Sequence, residues 1–191
     1  MAASNNIRLN PLKDRPVVHP TAYVDPSAQV IGKVFLAEDV YVGPNAVVRA
    51  DEVGPEGTVS PVLVKEGANV QDGVIIHASG GTSVEIGPRV SLAHGVIIHG
   101  PCIIGEGSFL AMRTTVYKAT LQESVWVGMG SIIMRATVPS HTMIPANTVI
   151  RTRLDVHNFR LINQKEITYI RNVLDASMEL RRGYLELESG R

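Results

Sequence analysis

Three of the six histidines in this chain, His77, His94 and His99, fall close together in the sequence. Imidazoles at such spacing serve chiefly as metal ligands or proton carriers. Near them stand a carboxamide and a carboxylate in tandem, Gln71-Asp72, and an arginine leading two acids, Arg49-Ala50-Asp51-Glu52. Neutral imidazoles leave a divalent ion with its full charge, and an ion held that way activates water. Whether the three histidines can meet depends on the element that carries them.

That element is a repeat, and fixed-period self-similarity defines it. Val24, Val30, Leu36, Val42 and Val48 fall six apart, and Val64, Val70 and Ile76 resume the count after an insertion at Ala50–Pro61. Ile86, Leu92, Ile98, Ile104, Leu110 and Val116 follow a shorter insertion near Ser79–Thr82. Leu121, Val127 and Ile133 follow one more slip, and Pro139 and Pro145 close the series. A small residue stands four places after most of these aliphatics: Ala28, Ala46, Ala68, Cys102, Ser108, Thr114, Ser131. Each hexad reads as a short strand plus a corner, and three hexads make a triangular coil. A β-sandwich would instead show period two with turns every ~8–12 residues. The expected fold is an all-β solenoid, a parallel β-helix whose coils stack about 4.8 Å apart. Gly32, Gly43, Gly87, Gly105 and Gly128 fall at corners, where positive φ is the expected reason for glycine.

The expected organisation is an N-terminal extension over 1–17, the β-helix over 18–150, and a turn and amphipathic helix over 151–191. Phe159, Ile162, Ile167, Ile170, Leu174, Met178 and Leu185 follow helical spacing and place the helix from about Gln164 to Leu185.

Stacking turns sequence offsets into vertical columns. With the insertions counted, Val48 lies under Ile76 and Ile76 under Ile98, so Arg49, His77 and His99 form one column. Neighbours of inward residues point outward, which puts this column on the surface. Two imidazoles one rung apart can converge on an ion at about 2.1 Å from each nitrogen. A second column holds Asp72 below His94, with Gln71 beside it. His94 sits on a different edge, and the five extended residues to His99 span roughly 16 Å. One chain cannot close the triad; two chains meeting edge to face can, and that docking also sets Arg49 opposite Asp72. His19, His141 and His157 have no column partner and read as structural, and Cys102 at the inward small position reads as core.

Lys plus Arg and Asp plus Glu both number 18, so the net charge is zero. A basic footprint for nucleic acid or a polybasic membrane patch is missing. Hydrophobic residues make up 45% of the chain, but no run approaches the roughly 18 apolar residues of a membrane span. Met1 to Arg15 is polar and lacks an apolar signal core. With Cys102 as the single cysteine, the expectation is a cytoplasmic protein.

Arg49-Ala50-Asp51-Glu52, Asn69-Val70-Gln71-Asp72-Gly73-Val74-Ile75-Ile76-His77 and His94-Gly95-Val96-Ile97-Ile98-His99-Gly100-Pro101 together resemble the γ-class carbonic anhydrase family. The resemblance covers about residues 18–150 and implies a left-handed β-helix homotrimer with metals at the subunit interfaces. It implies His77 and His99 of one subunit and His94 of its neighbour as ligands, and an interface pair between Arg49 and Asp72. It implies Zn²⁺, with Fe²⁺ or Co²⁺ as alternatives because imidazole suits several metals. The implied activity is reversible hydration of carbon dioxide to bicarbonate, with Gln71 orienting the attacking oxygen, Asn69 supporting it and Glu52 carrying protons. Two departures stand out. The family's long acidic loop after the first ligand is here Ala78-Ser79-Gly80-Gly81-Thr82-Ser83, without a carboxylate until Glu85. The family's Tyr-x-Asn pair is matched by Tyr169-Ile170-Arg171-Asn172, one residue out of step, so that Tyr169 and Asn172 are expected on one helix face.

Two other functions compete with hydration. Hexapeptide-repeat solenoids also serve as acyltransferases or thioesterases, which would use a single histidine as base and have no need of Gln71, Asp72 and the Arg49 column. A metal-binding assembly subunit with little turnover would keep the site and lack the proton path.

Overall fold

The computed structural model describes residues 6–156 and 159–190; the reading of His157 lies outside them. Strands of two to four residues wind through three parallel sheets of eight, seven and seven strands, each strand passing to the next sheet in turn. The result is a triangular prism of stacked coils. The eight-stranded sheet contains Val47–Ala50, Ile75–Ala78 and Ile97–Gly100 and is termed the histidine face. The sheet containing Tyr23–Val24, Asn69–Val70 and Ser91–Leu92 is the helix-covered face. The third, containing Val34–Leu36 and Cys102–Ile104, is the bare face.

The hexad aliphatics fill the prism. Ile76, Ile86, Leu92, Ile98, Ile104 and Leu110 are fully buried, each contributing on the order of 1.5–3 kcal/mol by leaving water. Their column register is the one that counting gives: Val48 pairs with Ile76, and Ile76 with Ile98. Small polar residues at the corners are buried too, and they find partners there. Ser108 Oγ donates to the Gln122 carbonyl at 3.1 Å and Ser131 Oγ to that of Pro145 at 2.9 Å, which offsets the cost of burying a hydroxyl.

The corner glycines have a different reason from the expected one. Of the five expected to need it, only Gly32 has positive φ, at 78°. At Gly105 and Gly128 the coil above leaves no room: a Cβ would stand 2.5 Å from the Gln122 carbonyl carbon and 2.4 Å from the Ala146 nitrogen. Close stacking, not the local dihedral, excludes larger residues there.

Two boundaries also shift. The histidine face begins at Ile7–Arg8, inside the stretch read as an extension, where Ile7 pairs with Val30. An open end of a β-helix exposes a row of unpaired backbone groups, and this short strand covers it. Two residues are too few to register in a six-residue period. The helix α1 spans Gln164–Ser189, past the expected end at Leu185. Asn163 caps it: its side chain accepts from the Lys165 and Glu166 amides, and Glu166 accepts from the Asn163 amide in return.

Helix α1 lies along the stack. Tyr169 meets Phe109 and Trp126 edge-on, both at 5.5 Å, and Tyr184 stacks on Tyr23 at 4.9 Å. The ~15 residues between these tyrosines rise about 22 Å, matching the five rungs, about 24 Å, from Trp126 to Tyr23. Buried Arg181 ties the helix down through Asp39 at 3.0 Å and the Thr21 carbonyl. Among the described residues no helix is long and apolar enough to cross a membrane.

Candidate metal centre

Strand register fixes the first column of the site. His77 pairs with Arg49 on one side and His99 on the other, so alternation turns all three outward while Ile76 and Ile98 turn in. The two imidazoles meet edge to face, with ring centroids 5.1 Å apart and planes at 85°. His77 is 5% exposed. Its Nε2 and His99 Nδ1 are both buried without a hydrogen-bond partner among the described residues. Unpartnered buried nitrogens are costly, and two of them on rings one rung apart are suited to share a metal. Burial, then the Arg49 guanidinium, holds the His77 imidazolium pKa below its usual value. The ring is therefore neutral near pH 7, the form a metal requires.

Acids crowd the same ring. Asp51 Oδ1 is 3.5 Å and Glu52 Oε1 is 3.4 Å from His77 Nε2. Arg49 Nη1 donates to Asp51 Oδ2 at 3.0 Å. Glu52 itself is placed by an interlock of the two insertions. Gly80 lies so near Val53 that a Cβ would come within 2.5 Å of its carbonyl oxygen. This brings the Gly80 amide to Glu52 Oε2, to which it donates at 3.0 Å. The turn that replaces an acidic loop thus anchors the one nearby carboxylate matched to the family.

The second column lies at the corner between the helix-covered face and the histidine face. His94 is exposed, with Nδ1 3.6 Å from Asp72 Oδ2. Gln71 beside Asp72 is tightly held: its Nε2 donates to Asn69 Oδ1 at 2.7 Å and to Ser177 Oγ at 3.2 Å. Asn69, fully buried, donates in turn to Ser91 Oγ at 3.0 Å. A cavity of about 250 Å³ opens here, lined by Gln71, His94, Phe109, Tyr169, Val173 and Leu180 among others.

Within one chain, then, His77 and His99 come together with Arg49, Asp51 and Glu52, and His94 comes together with Asp72, Gln71, Asn69 and Tyr169. The two halves stay apart, and among the described residues no three His, Cys, Asp or Glu side chains close on a metal. Arg49 and Asp72 likewise stand on separate edges. Asn172, expected to share a face with Tyr169, is exposed and outside the cavity; on α1 the cavity wall runs through Tyr169, Val173, Ala176 and Leu180 instead. Cys102 is buried in the core, its thiol donating to the His99 carbonyl at 3.3 Å, and burial raises its pKa. A larger cavity, about 580 Å³, lies under α1 against Glu38, Glu66 and Glu106 and holds no histidine.

Sequence reasoning missed Ser91 and Ser177. Ser91 was accessible, because it pairs in register with Asn69 and the column count that aligned the histidines would have found it. Ser177 carried only a weak mark, a small polar residue in line with buried Ile170 and Arg181.

This architecture defines a class, a left-handed parallel β-helix of hexapeptide repeats with one C-terminal helix. A solved hexapeptide transferase family protein from Anaplasma phagocytophilum superposes with a TM-score of 0.73 over 95% of this chain and 99% of its own, at 23% identity. No family model matches the sequence. A carbonic anhydrase from Methanosarcina thermophila is 34% identical over 176 residues, covering 79% of this chain and 69% of that protein. The chain belongs to the γ-class carbonic anhydrase family. It is also 31% identical over 181 residues to the carnitine operon protein CaiE of Escherichia coli, covering 92% of this chain and 88% of that protein. The carboxysome assembly protein CcmM of a Nostoc species is 30% identical over 88% of this chain but only 31% of its own length.

Proposed function

We propose that this protein hydrates carbon dioxide reversibly at three-histidine metal sites between the subunits of a homotrimer. The observation that carries the reading is the pair of buried, unpartnered nitrogens, His77 Nε2 and His99 Nδ1, matched by His94 on an edge that only a neighbour can use. His77 and His99 of one chain and His94 of the next would hold Zn²⁺, Fe²⁺ or Co²⁺. The ion, when bound, supplies the Lewis acidity that ionises water near pH 7. Gln71 Oε1 accepts an O–H hydrogen bond from the attacking water and aims its lone pair at carbon. Asn69 fixes the Gln71 amide, and Tyr169 with Val173 and Leu180 forms an apolar wall suited to a nonpolar gas. Glu52, half-exposed and 3.4 Å from His77 Nε2, takes the proton outward. Arg49 meets the neighbour's Asp72. The histidine face favours such docking, since Ile75, Ile97, Ile132 and Val149 remain exposed along it, an apolar ladder of the kind that marks interfaces.

A metal-binding assembly subunit with little turnover is the second reading. One observation favours it: the Gly80 amide engages the Glu52 carboxylate, and the turn at Ala78–Ser83 offers no other acid. An acyltransferase has no such support here, because the hexapeptide transferase likeness shows the fold alone. Stopped-flow hydration of carbon dioxide by anaerobically purified protein, with metal analysis of the same sample, separates the two. Turnover that scales with bound metal supports the enzyme; full metal loading without turnover supports the assembly subunit.

A further inference from the structure

Along the central outward column of its sheet, the contact with α1 is aromatic except at one level. The outward column of the helix-covered face reads Tyr23, Tyr41, then Asn69 and Ser91, then Phe109 and Trp126. Tyr184 and Tyr169 of α1 pack on the aromatic ends, and Ser177 stands between them. Asn69 and Ser91 are completely buried, and Ser177 is 4% exposed. Polar groups in the middle of such a contact cost free energy unless each is paired, and a methyl or aliphatic residue would pack there more cheaply. Every buried side-chain polar atom of Asn69, Ser91 and Ser177 has a partner. Ser177 Oγ donates to the Val173 carbonyl at 2.9 Å and so offers its lone pairs to Gln71 Nε2. With the other Gln71 N–H given to Asn69, both amide protons are consumed inside the fold. Oε1 is the atom of that amide left for the cavity.

We infer that Ser177 is a positioning residue, acting through Gln71: by taking the second amide N–H it holds the carboxamide in the orientation that Asn69 Oδ1 selects, with an acceptor, not a donor, toward the cleft. The inference rests on the hydration reading for its catalytic consequence, but not for the geometry. An amide flip would place Nε2 against the attacking water and Oε1 against Asn69 Oδ1, itself an acceptor, so Asn69 opposes it. The Ser177 hydroxyl, by contrast, could turn to donate, and it sets the tilt of the amide rather than its sense. Asn69 alone leaves the amide plane free to turn about that hydrogen bond; Ser177, at the second N–H, removes that freedom. The link also makes α1 part of the site, although no residue of the helix is proposed as a ligand.

The test compares Ser177→Ala with Ser177→Thr, which keeps the hydroxyl. The first readout is the side-chain amide of Gln71 in metal-free protein labelled with ¹⁵N-glutamine, assigned by its loss in Gln71→Asn. Two proton lines protected from solvent exchange are expected in wild type and Ser177→Thr, and in Ser177→Ala a shifted line and faster solvent exchange for the proton that Ser177 accepts. The second readout is kcat/KM for hydration at full metal loading, expected to fall roughly three- to tenfold in Ser177→Ala, the range for one neutral hydrogen bond, and to recover in Ser177→Thr. Amide lines in Ser177→Ala as slowly exchanging as in wild type would overturn the inference, as would unchanged kcat/KM in an active enzyme. Altered lines alongside an inactive wild type would uphold the Ser177 lock and reject the hydration reading instead.

Discussion

The helix-covered face and the histidine face share the same inward hexads but differ in what becomes of their outward residues. On the first, Tyr23, Tyr41, Asn69, Ser91 and Phe109 are buried because α1 lies over them. On the second, Ile75, Ile97, Ile132 and Val149 stay exposed beside His77 and His99. One face carries its cover in the same chain; the other has an exposed apolar ladder beside two ring nitrogens, His77 Nε2 and His99 Nδ1, that lack hydrogen-bond partners among the described residues. Inward positions therefore encode the coil, and outward positions encode what each face is to meet. Gln71 and His94 stand at the edge where the two faces join, so a neighbour docking on that edge would bring the halves of the site together.

The largest effect should come from the histidine face. His99→Ala should reduce bound metal from about one per chain to near zero. Hydration should fall by more than the roughly hundredfold cost of losing a metal site's outer partner, as read by metal analysis and stopped-flow on the same preparation. Arg49→Ala comes next. It leaves Asp51 without a cation and, in the proposed trimer, would leave the neighbour's Asp72 buried and uncompensated, at a cost of about 3–5 kcal/mol per interface. Sedimentation across a dilution series should show dissociation at concentrations where wild type stays assembled, with the far-ultraviolet dichroism of the coil unchanged. An Arg49→Ala protein that stays assembled on dilution would detach Arg49 from the interface.

Glu52→Ala tests the proton path with a smaller effect. A placed proton carrier contributes about 10²–10⁴-fold, and a half-exposed Glu52 belongs at the lower end. We expect kcat to drop about a hundredfold or less while kcat/KM holds, because proton export follows hydration, and imidazole buffer should restore part of kcat. No loss of kcat would make Glu52 a bystander held by Gly80 for structural reasons.

The smallest effect belongs to the covered face. Burial, foremost, pushes both Tyr23 and Tyr41 up to about 12. An unfolded tyrosine ionises near pH 10, so these phenols favour the folded state below about 10 and lose that contribution as pH rises toward 12. Tyr117 on the histidine face, partly exposed with the cations of Lys118 and Arg135 over its ring, shifts the other way. Alkaline loss of α1, followed by dichroism, should accordingly move to higher pH in Tyr41→Phe and remain in place in Tyr117→Phe.

Much of this arrangement was legible in the sequence because a solenoid converts counting into geometry. Once two insertions were measured, Arg49, His77 and His99 had to share a column, and Asp72 had to lie under His94. What stayed hidden depends on contacts that no period encodes. The interlock of Val53 with Gly80 joins two irregular insertions, and it is this contact that fixes Glu52. The rotation of α1 about its own axis decides that Tyr169 lines the cavity while Asn172 faces solvent, and helical spacing alone leaves that rotation open. The strand at Ile7–Arg8 answers a need of the solenoid's end, where the repeat has no next coil to impose its pattern.

The central claim is that each metal site is divided between two chains, and subunit mixing tests it most directly. Chains carrying His94→Ala and chains carrying both His77→Ala and His99→Ala each lack half of every site, so each alone should bind no metal. In any cyclic trimer containing both kinds, going round the ring, one junction sets intact His77 and His99 against an intact His94. Co-expressed, doubly tagged mixed trimers should therefore bind about one metal each against about three in wild type, and should regain hydration in proportion. Mixed trimers as empty and inactive as their parents, or full metal loading in His94→Ala alone, would contradict a site shared between subunits.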